Sequence, residues 1–120
     1  MATLVARVLT GTILVVFGLN AFIPMLPLPP LGEAGQAFMG ALLASGFLPI
    51  VKGVEVLSGV LILIPRTSPL GVVLVAPVVV AILLFHVLLS PDTVALAAVL
   101  GLGWLSLVKS YLGNYRSIFA

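Results

Sequence analysis

Lys52 and Glu55 stand three residues apart in a chain that holds only five Lys/Arg and three Asp/Glu among 120 residues. On a helix that spacing puts both side chains on one face, where carboxylate and ammonium can pair. A carboxylate so placed can take or pass a proton, and the ammonium can donate to a carbonyl oxygen. His86, the single histidine, is a second group suited to proton transfer near neutral pH. Asn20 offers an amide that both donates and accepts. Glu55 and His86 are therefore the candidate catalytic residues, and Asn20, Lys52, Glu55 and His86 the candidate ligand-binding set. Each also has a plain structural role open to it. Lys52 can snorkel along its own stem, or neutralise Glu55 and nothing more. Asn20 can bond a neighbouring helix, and His86 can complete a polar network.

Other chemistries find no residues to carry them. The chain has no Cys, which excludes disulfides, thiol redox chemistry and cysteine nucleophiles. A catalytic metal needs at least three protein ligands; Glu55 and His86 supply two, so no metal site is expected. A haem needs an axial ligand and a large cavity, and one histidine in so short a chain speaks against it. Asp92 stands where a helix should begin and reads as a cap, so no Ser-His-Asp set forms. No glycine-rich phosphate loop is present. The formal net charge is +2, but Arg7, Lys52, Arg66, Lys109 and Arg116 are scattered rather than clustered, so nucleic acid is not an expected partner.

The elements that must position these residues are membrane helices. Hydrophobic residues make up 62% of the chain and charged residues 7%, with a mean hydropathy of +1.42. A soluble domain averages about 25% charged residues. The expected fold is all-α, a single integral membrane four-helix bundle with the lipid bilayer as its solvent. A bilayer core takes about 20 mostly apolar residues to cross, and four stretches qualify. The spans are expected at about 4–23, 47–65, 68–89 and 92–112. The prolines from Pro24 to Pro30 end the first, because proline lacks an N–H and clashes with the preceding turn. A short apolar stretch at about 35–45 is expected as an interfacial or re-entrant helix between spans one and two, or else as the start of one long helix kinked at Pro49. Pro77 is expected to kink span three. A cleaved signal peptide is the weaker account of the N-terminus, since no clean small-x-small site follows the apolar run.

Four spans put Arg7, Arg66, Lys109 and Arg116 on one side and only Glu33 and Asp92 in the loops of the other. Basic residues mark the cytoplasmic face, so the expected location is the cytoplasmic membrane with both termini inside. Tyr111 and Tyr115 then lie at the inner interface. The same topology places Asn20, Lys52, Glu55 and His86 at a shared depth, within roughly 4–13 Å of the outer boundary at the helical rise. Ionisable residues in membrane helices face the bundle interior and mark function. Thr93, Ala97 and Gly101 fall four apart, the small-xxx-small spacing that lets helices approach closely, and Gly11 and Gly18 offer the same on span one. Trp104, mid-span, is expected to wall a pocket or to face lipid or a neighbouring helix.

Arg7, Gly11, Phe17, Gly18, Asn20 and Phe22 resemble the first helix of the DoxX-like family of small integral membrane proteins. Phe38, Ala41, Leu42, Ser45, Gly46 and Pro49, leading into Lys52, Glu55 and Gly59, resemble its second block. Arg66, Leu70, Ala76, Pro77, Val78, Phe85 and His86 resemble its third. The resemblance spans about residues 7 to 90. It implies a four-helix membrane protein, and activities that in relatives include a membrane subunit of a quinone-linked oxidoreductase. Two functions are expected from the chain as a whole. In one, the outer polar cluster binds a quinone or another lipophilic, lipid-like ligand, with Lys52 or His86 donating and Glu55 passing a proton. No redox centre is visible, so electron transfer would need a partner membrane or redox protein or a bound cofactor. In the other, the cluster is an internal network, and span four's small residues bind a partner or a second copy in a non-catalytic assembly protein or homo-oligomer.

Overall fold

The first helix, α1, runs Ala2–Asn20 and stops where the prolines approach. The N–H groups of Phe22 and Ile23 both turn back to the Leu19 carbonyl, at 2.9 and 2.8 Å. Ile23 precedes Pro24, whose ring disfavours the helical region for its neighbour, so the helix ends three residues before the expected Ile23. The computed structural model describes every residue except 25, 26, 28–30, 92, 93 and 120, and the side chains of 117–119. The remaining helices are α2 (Glu33–Ala44), α3 (Phe47–Leu63), α4 (Ser68–Leu89), α5 (Val94–Ser110) and α6 (Leu112–Phe119). No strand occurs among the described residues, and the fold is all-α.

The break between α2 and α3 falls at Gly46 rather than at Pro49. Gly46 adopts φ 79°, the left-handed region that costs glycine nothing, and the two helices meet there at 90°. Pro49 sits in the first turn of α3, where backbone N–H groups have no intrahelical partner to lose. Pro77 lies inside α4, which continues through it. The expected start of the fourth span, including Asp92 as its cap and Thr93 of the small-residue series, lies outside the described residues. The chain turns at Tyr111 and adds α6, an element not expected beyond residue 112. Eight residues around Gly113 are too few for a helical period to stand out from the sequence.

Two helices, α1 and α4, are long and apolar enough to cross a membrane; α2 and α3 pass that test together only as a bent pair, and α5 is shorter. Helix α1 packs against α3 and α5, and α4 packs against the same two, so these four close a ring; α2 lies across α3 and α4. The interior is filled by Leu14, Ile62, Val72, Val75, Val79 and Leu107, all almost wholly buried.

Small residues set the closest crossings between the helices. A Cβ built on Gly59 would stand 2.9 Å from the Gly11 carbonyl oxygen, and one on Gly71 2.8 Å from that of Ser58. These pairs bring α1 to α3 and α3 to α4. Gly18 meets Val56 in the same way, at the first of these crossings. Gly101 is turned inward against Leu83 of α4, and Ala97 is buried. The described part of the small-residue series is thus used for close approach inside the chain, as its spacing predicts, and Ala97 and Gly101 are not left free for the partner or second copy that the assembly reading gives them.

The end of the ring away from α2 is tied by polar contacts. Arg7 Nη1 donates to the Leu63 carbonyl at 2.6 Å, and Thr67 Oγ1 to that of Leu61 at 2.8 Å, satisfying carbonyls that the end of α3 leaves open. Tyr111 donates to Ser68 Oγ at 3.0 Å and Tyr115 to the Pro69 carbonyl at 2.8 Å, fastening the ends of α5 and α6 to the start of α4. Trp104 Nε1 donates to the Val72 carbonyl at 3.0 Å. Its partner is the neighbouring helix, and it does not wall the cavity described next.

Candidate functional site

A partly open cavity of about 500 Å³ lies at the end of the ring where α2 crosses. All five of the longer helices contribute to its wall. Ile13 and Phe17 come from α1, Leu48 and Val51 from α3, and Val78 and Ala81 from α4. Helix α2 closes the cavity with Phe38, Met39 and Leu42, and α5 adds Leu96, Ala97 and Leu100. The wall is almost entirely apolar. Among the described residues its titratable side chains are Lys52, Glu55 and His86. The volume lies within the range of small-molecule sites, which are mostly apolar with a few convergent polar groups.

Lys52 and Glu55 form an ion pair along one face of α3, with Nζ and Oε2 3.2 Å apart. The glutamate side chain is 4% exposed and the lysine 20%. The pair is therefore turned into the protein, and the lysine does not carry its ammonium away from Glu55. His86 reaches the cavity from α4. Its Nδ1 lies 2.9 Å from the Ile82 carbonyl one turn back. A carbonyl oxygen only accepts, so Nδ1 carries the proton, and in the neutral ring Nε2 is the acceptor. Phe85 beside it stacks at a tilt on Phe38 of α2, with ring centroids 5.6 Å apart. That contact holds α2 over the histidine.

Three of the four residues expected to share a site, Lys52, Glu55 and His86, line the same cavity. Asn20 does not. It is buried at the last turn of α1 and takes part in other interactions. Depth along the ring brought all four together in expectation, but depth does not specify which way a helix face turns. Sequence reasoning missed the contribution of α2. The signal was present in Phe38 and Leu42, one helical turn apart on a short apolar helix between α1 and α3.

The arrangement can hold a lipophilic body among aliphatic and aromatic side chains while one polar patch engages its head group. Lys52 donates, Glu55 accepts, and His86 offers its Nε2. A redox cofactor would be held only through these groups, and among the described residues no cluster of three or more metal-ligating side chains occurs. Comparison with protein-family models, with curated proteins and with solved structures finds no match to this chain.

Proposed function

We propose that this is a DoxX-like integral membrane four-helix protein whose cavity binds a quinone-like or other lipophilic ligand. In its fullest form it serves as the membrane subunit of an oxidoreductase complex. The observation that carries the ligand site is the convergence of Lys52, Glu55 and His86 on one apolar cavity of about 500 Å³. Membrane residence is supported by the two long apolar helices and by the many large hydrophobic side chains left exposed around the ring. The longest dimension of the molecule is 43 Å, close to the roughly 40–45 Å of a bilayer with its head groups. The cavity and α2 lie at one end and Arg7 at the other, which agrees with an outer-facing site and cytoplasmic termini in the cytoplasmic membrane.

Within this site Lys52 donates to a carbonyl or hydroxyl oxygen of the ligand, and Glu55 and His86 exchange protons with it. Electrons would come from or go to a partner redox protein. The test is extraction of small molecules from protein purified gently from its native membrane, followed by mass spectrometry and an absorption spectrum. A stoichiometric lipophile is expected, and Glu55→Gln is expected to retain less of it while keeping the fold. Unchanged ligand content in a folded Glu55→Gln protein would count heavily against the site. The alternative, a non-catalytic assembly protein, keeps the same ion pair as an internal network and predicts bulk phospholipid alone.

A further inference from the structure

Among the described residues the cavity is lined by one lysine and one carboxylate, and they pair with each other. We propose that it takes uncharged, hydroxyl-bearing lipophiles, a phenol or hydroquinone head group on an apolar tail, and that the Lys52–Glu55 pair rejects charged amphiphiles. This rests on the ligand-site reading of the cavity and specifies what that site selects.

Each class of head group would displace something different. A carboxylate or phosphate entering the cavity would seek Lys52, whose ammonium already lies 3.2 Å from Glu55 Oε2. To bind, the anion must part that pair or crowd against it, leaving a carboxylate that is 4% exposed without its counter-ion. Removing one partner of a buried pair is strongly unfavourable. An ammonium meets the mirror problem: it must draw Glu55 off Lys52 and strand the lysine. A neutral head group disturbs neither. It can accept from the remaining donors of Lys52, since an ammonium carries three and Glu55 takes one direction.

The preference for a hydroxyl comes from His86. Its Nδ1 is committed to the Ile82 carbonyl at 2.9 Å, so the nitrogen left to meet a ligand is Nε2, an acceptor in the neutral ring. A hydroxyl hydrogen satisfies it; an ether or a quinone carbonyl presents a lone pair to a lone pair. The rest of the wall offers apolar side chains such as Phe17, Phe38 and Leu100 to the tail.

Four probes with alkyl tails of nine or ten carbons separate these claims: 4-decylphenol, its methyl ether 4-decylanisole, decanoate and decylamine. Each is added to the full chain in a neutral maltoside detergent near neutral pH, and bound adducts are counted by native mass spectrometry. The wild-type protein is expected to bind 4-decylphenol at one per chain and 4-decylanisole about tenfold more weakly, the worth of one hydrogen bond. Neither charged probe should bind specifically. Glu55→Gln should gain affinity for decanoate by about tenfold or more, because Lys52 is then without its partner, and Lys52→Gln should gain affinity for decylamine. Decanoate binding to the wild type as tightly as 4-decylphenol would overturn the inference while leaving the ligand site standing. So would a Glu55→Gln protein with unchanged affinity for decanoate. If no probe binds the wild type or either variant, the ligand site fails and the inference fails with it. Should the variants not fold, the wild-type ranking of phenol, ether and decanoate decides alone.

Discussion

Breaking the Lys52–Glu55 pair from one side should not equal breaking it from the other. Lys52→Met removes the cation and leaves a carboxylate that is 4% exposed. Breaking a fully buried pair costs about 3–5 kcal/mol; with the lysine end 20% exposed, about 2–4 kcal/mol is expected. Glu55→Leu strands the lysine instead. Its four-carbon stem lets the ammonium move toward water or head groups, so the cost should be smaller, about 1–2 kcal/mol. The double variant Lys52→Met/Glu55→Leu removes both charges and fills the space with apolar groups, and such replacements of buried pairs are close to neutral or stabilising. It should lie within about 1 kcal/mol of the wild type. Unfolding of purified protein in mixed micelles, followed by circular dichroism, measures all four corners of the cycle. Additive single effects, or a double variant no more stable than Lys52→Met, would refute the claim that the pair is a desolvated unit. Equal costs for the two single variants would refute the asymmetry.

The crossing of α1 and α3 is set by two glycines, so Gly59→Ala should destabilise by about 1–3 kcal/mol through overpacking; its Cβ would lie 2.9 Å from the Gly11 carbonyl oxygen, and the same micelle unfolding reads the loss. Ser58 Oγ is buried without a hydrogen-bond partner, so Ser58→Ala should stabilise by about 1 kcal/mol, seen as a higher Tm; a lower Tm would show that the hydroxyl is satisfied. Burial, with Tyr111 adding to it, pushes the Tyr115 hydroxyl above its ordinary 10.0. The folded state then holds that proton more tightly than the unfolded chain, so its contribution is present below pH 10.0 and is lost as pH rises beyond it. Tyr115→Phe should flatten the alkaline limb of a Tm-against-pH profile.

Much of the helix pattern could be read in the sequence, because the punctuation is chemical. Pro24, Pro65 and Pro91 interrupt long apolar runs, and a proline inside a helix removes a hydrogen bond and clashes with the preceding turn. What sequence could not supply was the rotation of each helix about its axis. Ala97 and Gly101 look like a free packing stripe, and Gly101 instead meets Leu83. Asn20 shares a depth with Lys52 and Glu55 and yet does not line the cavity. Rotation is decided by pairwise fits such as Gly11 against Gly59, which involve residues 48 apart in sequence. The bend at Gly46 was hidden for a different reason. Pro49, three residues on, is the more conspicuous helix breaker, but in a first turn a proline breaks nothing. The site was half legible: its ionisable groups are conspicuous in so apolar a chain, whereas its apolar lid of Phe38, Met39 and Leu42 is built from residues that look like any other membrane helix.

A cavity proposed to hold a lipophile should be found occupied. The most direct measurement compares the small molecules that accompany the wild-type protein with those that accompany Ala81→Phe, both extracted from native membrane and quantified by mass spectrometry. Ala81 lines the cavity from α4, and a phenyl ring there would occupy the ligand's space without touching the ion pair's charge. About one lipophile per wild-type chain, and its loss from a folded Ala81→Phe protein, is the predicted result. Bulk phospholipid alone in both, or the same lipophile at the same ratio in both, would contradict it.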